Sequence, residues 1–284
     1  MKKRIVFLIG LLLLLLAGGF VSDQKSWPTN QHQTTVPAMP AAIPGLAKDF
    51  GKIPIFFVPN QGQTDNAVNF YVRGTDKTVY FAPDGVTFSL SYSTVPKNMK
   101  ETRRIWQDPR SPASKAAELY KDLKRWTVKM DFLGARKDAR PEGLEETGAV
   151  ISYFKGKPEE WKTGLQAYSK IRYRDLWPGI DLVYMGVVNK LKYEFIVHPG
   201  ADPGQIRLAC RGTERVEVTE EGRLRMTTPA GVFEDDNPVA YQEVEGKQRS
   251  VAMAYALKGP EGGETGEFTA TSGRMPDGKT GSLK

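Results

Sequence analysis

Residues 183–197 read VYMGVVNKLKYEFIV, and their pattern decides the fold class. Leu191, Tyr193, Phe195 and Val197 alternate with Lys192, Glu194 and Ile196. A period of two sends successive side chains to opposite faces of an extended chain, whereas a helix would space its apolar residues three and four apart. Asn189-Lys190 interrupts the run where a tight turn is needed, so Val183–Val188 and Leu191–Val197 are expected to pair as a hairpin.

The same period recurs on both sides. It is carried by Val68, Phe70 and Val72; by Val86, Phe88 and Leu90; and by Val128, Met130 and Phe132. Further along it is carried by Ile206, Leu208 and Cys210, and by Val251, Met253, Tyr255 and Leu257. Glu220-Glu221-Gly222 and Glu245-Gly246-Lys247 supply further turns. In Trp177-Pro178-Gly179 the proline presets φ and the glycine accepts positive φ, with Asp181 placed to cap the turn through its carboxylate. Pro199-Gly200-Ala201-Asp202-Pro203 forms a second rigid corner. Short strands punctuated in this way argue for a mainly β chain of antiparallel, sandwich-like sheets. A chain of this length buries about 70–75% of its unfolded surface, enough for one or two such cores.

One stretch departs from period two. Ala116, Leu119, Tyr120 and Leu123 recur at helical spacing within Ser114–Arg125, behind Pro109 and Pro112, and Ser114 can cap the first turn. A short surface helix is expected here, inside a basic insertion from Pro96 to Arg125 that carries Lys97, Lys100, Arg103, Arg104 and Arg110 among others. The β-rich part reads as one domain or as two subdomains that break near 96–125, and the sequence leaves the two open. A solvated loop is the plain reading of that charge, and attachment to an anionic surface is the sharper one.

The ends differ from the middle. Lys2, Lys3 and Arg4 precede an unbroken apolar run of 17 residues, Ile5 to Val21, the pattern of a secretory signal or a short single-pass anchor helix. Residues 1–22 are therefore expected as signal peptide or membrane anchor, and 23–52 as a Pro- and Gln-rich linker. Residues 53–257 form the β-rich domain, and 258–284 a Gly-rich, unstructured tail. An uncleaved leader would make the membrane a partner and leave the rest of the chain outside the cytoplasm.

Composition removes several function classes. The 284 residues contain one cysteine and two histidines, too few for a disulfide framework, a thiolate metal site or imidazole chemistry of any extent. Without the three leader cations the formal charge falls from +7 to +4, an ordinary soluble surface and no nucleic-acid footprint. The lone Cys210 suits a buried position in an oxidising compartment. No Gly-rich phosphate loop and no Gly-x-Ser-x-Gly elbow occur, and no cofactor is expected. Glu234-Asp235-Asp236-Asn237 is oxygen-rich but lacks a calcium loop's spacing, so a solvated acidic turn is expected.

From Tyr153 to Pro203 a longer motif is visible: Tyr153-Phe154, Trp161-x-Thr163, Trp177-Pro178-Gly179-Ile180-Asp181-Leu182-Val183-Tyr184, Tyr193-Glu194-Phe195 and Pro199-Gly200-Ala201-Asp202-Pro203. This resembles the extracytoplasmic domain that precedes the β-propeller-type repeats of bacterial SBBP-repeat proteins. Asn60-Gln61-Gly62-Gln63 and the segment from Thr227 to Gln242 are similar to other motifs of that family. The chain departs from the pattern at Trp177, Met185 and Glu194, and after the Tyr255 strand it enters the Gly-rich tail where the family continues into another strand and then the repeats. The resemblance implies a truncated or stand-alone cell-surface module and transfers no catalytic residue.

An exported, non-enzymatic envelope module with a structural, adhesive or ligand-binding role is the resulting expectation, with a polysaccharide or envelope protein as partner. Trp161, Tyr168, Trp177 and Tyr184 are its candidate contact residues. The alternatives are a carbohydrate-active hydrolase pairing Asp181 with Glu194 across the 183–197 hairpin, or peripheral binding to an anionic surface through 97–125.

Overall fold

The computed structural model describes residues 4–13, 55–74, 77–93, 123–187, 190–244, 247–258 and 266–272. Among them every strand pairing is antiparallel, and no α-helix occurs. The expected hairpin is present, with Val183 opposite Glu194 and Leu191 opposite Gly186.

Two sheets account for the strands. One contains β1 (Arg4–Leu13), β7 (Pro141–Tyr153), β8 (Lys162–Trp177), β9 (Ile180–Val187), β10 (Lys190–Val197), β12 (Arg215–Val218), β13 (Leu224–Thr228), β14 (Gly231–Asp235), β15 (Val239–Val244) and β16 (Lys247–Val251). Its order is β12-β13-β14-β1-β10-β9-β8-β7, with β15 also on β1 and β16 beyond it. The other contains β2 (Val58–Pro59), β3 (Phe70–Arg73), β4 (Lys77–Ala82), β5 (Gly85–Ser93), β6 (Leu123–Phe132), β11 (Leu208–Arg211), β17 (Met253–Lys258) and β18 (Gly266–Ser272), in the order β17-β18-β11-β6-β5-β4-β3-β2.

The inward residues of both sheets share one core. Aromatic rings dominate it. Phe81 of β4 meets Tyr184 of β9 at 5.0 Å, Phe132 of β6 meets Tyr173 of β8 at 5.3 Å, and Trp177 meets Phe132 and Phe195 at 6.0 and 5.8 Å. Edge-to-face pairs of this kind add about 0.5–1.5 kcal/mol each beyond the area they bury. Their polar handles are satisfied: Trp177 Nε1–H donates to the Leu133 carbonyl at 2.9 Å, and Tyr173 Oη–H to the Ala82 carbonyl at 3.0 Å.

Turn chemistry follows the sequence closely. Pro178-Gly179 joins β8 to β9, with Gly179 at φ +73°. A Cβ there would also press on the Ala201 methyl at 2.7 Å. The Asp181 carboxylate accepts the Asp175 N–H at 2.7 Å, while Asp175 Oδ1 accepts the Gly179 N–H at 2.6 Å. Asp175 sits at φ +52°, in the left-handed region that aspartate tolerates better than most residues. His198 Nε2 lies 3.3 Å from the same Asp181 carboxylate, a partner that sequence spacing did not reveal.

Two expectations need correction. Leu123–Arg125, expected as the end of a helix, begin strand β6, because they continue the register in which Leu90 faces Trp126 and Ser93 faces Leu123. The remainder of the expected helix and of the 97–125 segment lies outside the described residues. β5 and β6 flank that insertion and pair with each other in one sheet, and residues of both belong to one core. The tail is not wholly structureless: Gly266–Ser272 forms β18 between β11 and β17, and Phe268 is buried. Within the leader, Arg4–Leu13 is β1, and the rest of residues 1–22 lies outside the described residues.

Candidate functional site

A cleft of about 710 Å³ opens between β3, β4 and the ends of β7 and β8. Gln63, Tyr71, Tyr80, Tyr153, Lys155 and Lys162 form most of its wall, with Arg73, Glu159 and Glu160 at further positions. Period two explains the tyrosines. Tyr71 and Tyr80 are directly paired across β3 and β4, and they face away from the shared core because Phe70, Val72, Val79 and Phe81 face into it. Ring centroids lie 6.4 Å apart for Tyr71–Tyr80 and 6.2 Å apart for Tyr71–Tyr153.

One lip is the Asn60–Thr64 loop, fixed from within by two side chains. Asn60 Nδ2 donates to the carbonyls of Asp65 at 2.7 Å and Val68 at 2.9 Å, and its Oδ1 accepts the N–H groups of Gly62 at 3.1 Å and Thr64 at 3.2 Å. Gln63 accepts the Gln61 N–H at 2.6 Å and donates to the Pro59 carbonyl at 2.6 Å and to Tyr71 Oη at 3.3 Å. Burial, then the neighbouring Tyr153, pushes the Tyr71 phenol well above its ordinary value of 10.0. Tyr71 therefore serves as an uncharged hydrogen-bonding group.

The other lip is the loop that joins β7 to β8. A single 3-10 turn, Pro158–Glu160, is tied back by Glu160 Oε2, which accepts the Lys157 N–H at 3.0 Å. The loop carries an exposed edge-to-face pair, Phe154 (67% exposed) and Trp161 (42% exposed), with centroids 5.1 Å apart. Asn60-Gln61-Gly62-Gln63, Tyr153-Phe154 and Trp161-x-Thr163 thus converge on one place, although about a hundred residues separate the first from the others.

The contact residues expected from the sequence scatter, with only Trp161 near this cleft and exposed. Tyr168 is half-buried and packs its ring edge-on against Phe70 at 5.9 Å. Trp177 and Tyr184 are buried in the shared core, closed to any ligand. Tyr71, Tyr80 and Tyr153 were missed because a lone tyrosine on a strand gives no sign of which face is concave.

Two other places gather ionisable groups. A shallower recess of about 670 Å³ is lined by Asp84, Asp131, Arg211 and Lys258 among others. Asp84, Asp131 and Arg211 are already matched: Lys129 meets Asp84 at 2.5 Å, and Arg211 holds Asp131 through its Nε and one Nη. Asp181 and Glu194 line neither recess. Asp181 is committed to Asp175 and His198, and burial pushes the half-buried Glu194 carboxyl upward. Among the described residues no three His, Cys, Asp or Glu lie close enough to hold a metal ion. Cys210 is a free, buried thiol as expected. Asp235 is fully buried, which corrects the expectation of a solvated acidic turn at 234–237.

A family model described as a domain of unknown function, DUF7948, matches residues 57–273. The chain belongs to this family. No curated protein and no solved structure matches. The DUF7948 span starts at Phe57, whose backbone pairs with Tyr168, and runs just past β18. It therefore contains both lips of the cleft and the late strand β18, and it leaves β1 outside.

Proposed function

We propose that this DUF7948 chain is an exported, non-enzymatic, sandwich-like module of the bacterial envelope, and that its tyrosine-lined cleft binds an extended polar ligand such as a polysaccharide. The observation that carries the reading is the convergence of the half-buried Tyr80 and Tyr153, packed on the buried Tyr71, with Gln63, Lys155 and Lys162 in one open, largely prefixed cleft. Aromatic faces beside fixed amide and ammonium donors match the alternating apolar and hydroxyl surfaces of a sugar chain. The two acids of the cleft, Glu159 and Glu160, are neighbours on one turn and do not flank a bond from opposite sides as hydrolysis requires. The basic, apolar leader supports export, and the motif from Tyr153 to Pro203 supports kinship with the domain that precedes SBBP repeats.

Retention of the protein on a panel of immobilised neutral and acidic polysaccharides tests the binding role. We expect at least one to retain it, and Tyr80→Ala and Tyr153→Ala each to weaken that retention about tenfold, a loss of about 1.4 kcal/mol. Failure of every polysaccharide to bind, or binding indifferent to both substitutions, overturns the reading. Cell fractionation with sequencing of the product's N-terminus tests export separately.

A further inference from the structure

Along the first sheet, cations stand against acids: Arg172 on Glu142, Lys170 on Glu145 and Arg225 on Glu234. The tyrosine-lined cleft breaks that pattern. Lys155, Lys162 and Arg73 all line it, and none of the three lies within ion-pair distance of an acid among the described residues.

Lys162 is the most constrained of them. It pairs in register with Tyr153 at the start of β8 and is half-buried. Its stem reaches the opposite lip, where a β-carbon on Gly62 would stand 3.5 Å from Lys162 Cε and 3.8 Å from Nζ. The ammonium thus sits between the two lips, on the strand pair that also presents Tyr153. A partly desolvated ammonium without a fixed counter-charge gains by meeting an anion, and walls that exclude water weaken the screening between the two.

The two acids of the cleft are placed otherwise. Glu160 Oε2 accepts the Lys157 N–H at 3.0 Å and closes over Gly156, where a β-carbon would collide with it. Glu160 is therefore engaged in the loop's own turn. Glu159 beside it is exposed and pairs with none of the three cations. It opposes any anion in the cleft as a like charge.

We propose that the cleft selects acidic polysaccharides: a carboxylate or sulfate of the chain meets Lys162 while its sugar rings lie against Tyr80 and Tyr153. The exposed Lys155 and Arg73 are open to further charges, which repeat along such a chain with its sugar units. A hydrogen bond from an ammonium to an anionic oxygen is roughly twice as strong as one between neutral groups, so Lys162 favours the charged group over a hydroxyl. The inference rests on the polysaccharide reading of this cleft and adds the sign of the charge that the ligand carries.

The test measures retention of the full chain on immobilised polygalacturonate, dextran sulfate and dextran across a range of salt. The first two distinguish carboxylate from sulfate as the source of charge, and dextran is the neutral reference. We expect at least one charged chain to be retained above dextran, less so as salt rises. Lys162→Gln should weaken that retention about tenfold and the exposed Lys155→Gln about threefold, while Glu159→Gln should strengthen it. Lys137→Gln removes the same charge from the β6–β7 loop, outside the cleft, and should change nothing. Retention of dextran equal to that of both charged chains, or a Lys162→Gln loss no larger than that of Lys137→Gln, overturns the inference. If dextran is then held in dependence on Tyr80 and Tyr153, the polysaccharide reading survives without it. Retention of no chain at all removes both.

Discussion

Tyr193 Oη donates to Asp235 Oδ2 at 2.5 Å, from β10 on one side of β1 to β14 on the other. The bond spans the width of β1, whose Ile9 and Leu12 are the register partners of the two residues. Both groups are buried, and Asp235 Oδ1 has no partner. One hydrogen bond therefore ties together two strands that are not neighbours in the sheet.

The position of Asp235 predicts a pH dependence. Burial pushes its carboxyl up from 3.8 to about 7, against the opposing pull of the hydrogen bond from Tyr193 and of the nearby Tyr255 hydroxyl. Tyr184, Cys210 and Asp236 complete its surroundings. Because the folded-state value lies above the unfolded one, the contribution of this group to stability is fully present below about pH 4 and is lost as the pH rises through about 7. Urea midpoints measured from pH 4.5 to 8 should fall in that window by the equivalent of about 2–4 kcal/mol. Asp235→Asn should flatten the slope and be the more stable protein at pH 8. A wild-type slope no steeper than the variant's contradicts the assignment.

The same buried cluster makes Cys210 inert. Its thiol lies 3.5 Å from Met226 Sδ, and burial followed by the nearby Asp235 pushes its pKa up to about 12. Thiolate is the reactive form, so the native protein should react with a thiol reagent only as fast as it unfolds. The check is the labelling rate against denaturant. A fast phase in buffer alone would place the sulfur at the surface.

These buried polar groups mark where sequence reading stops. Strand existence, the 183–197 hairpin and the Pro178-Gly179 turn were legible because each depends on residues a few positions apart. β18 was hidden by the glycines around it: the apolar signal of Gly266–Ser272 is Phe268 alone, and its pairing with β11 spans nearly sixty residues. Asp235 looked like part of an acidic turn because nothing local shows that β14 pairs with β1 and turns this side chain into the core. The cleft was half legible, since its motifs were visible as separate stretches while the tyrosines that line it were not.

Asn60 should be the most sensitive position of the cleft. It holds the lip through four backbone partners, and no other side chain can replace both its donor and acceptor ends at that spot. Asn60→Ala should lose about 1–3 kcal/mol of stability through carbonyls and N–H groups left unpaired. Ligand retention should fall with it, whereas Gln61→Ala, an exposed neighbour whose side chain holds none of these bonds, should change neither. Thermal unfolding and polysaccharide retention measured on the same preparations decide the matter, and equal behaviour of the two variants counts against a prefixed lip.

The Asp175–Asp181–His198 corner offers a graded test of why the β8–β9 turn forms. Asp181→Ala strips the Asp175 N–H of its acceptor inside a nearly closed site and removes the carboxylate facing His198, so it should cost about 2–3 kcal/mol. Asp175→Ala loses the bond to the Gly179 N–H and places alanine at φ +52°, where a β-carbon is strained. Asp175→Asn keeps an oxygen for that bond and tolerates the left-handed region, so it should lose less than half as much as the alanine variant. Chemical denaturation of the three variants orders them directly. If asparagine proves as damaging as alanine, the charge of Asp175, with its 3.4 Å contact to Arg136, holds the turn instead of its backbone geometry.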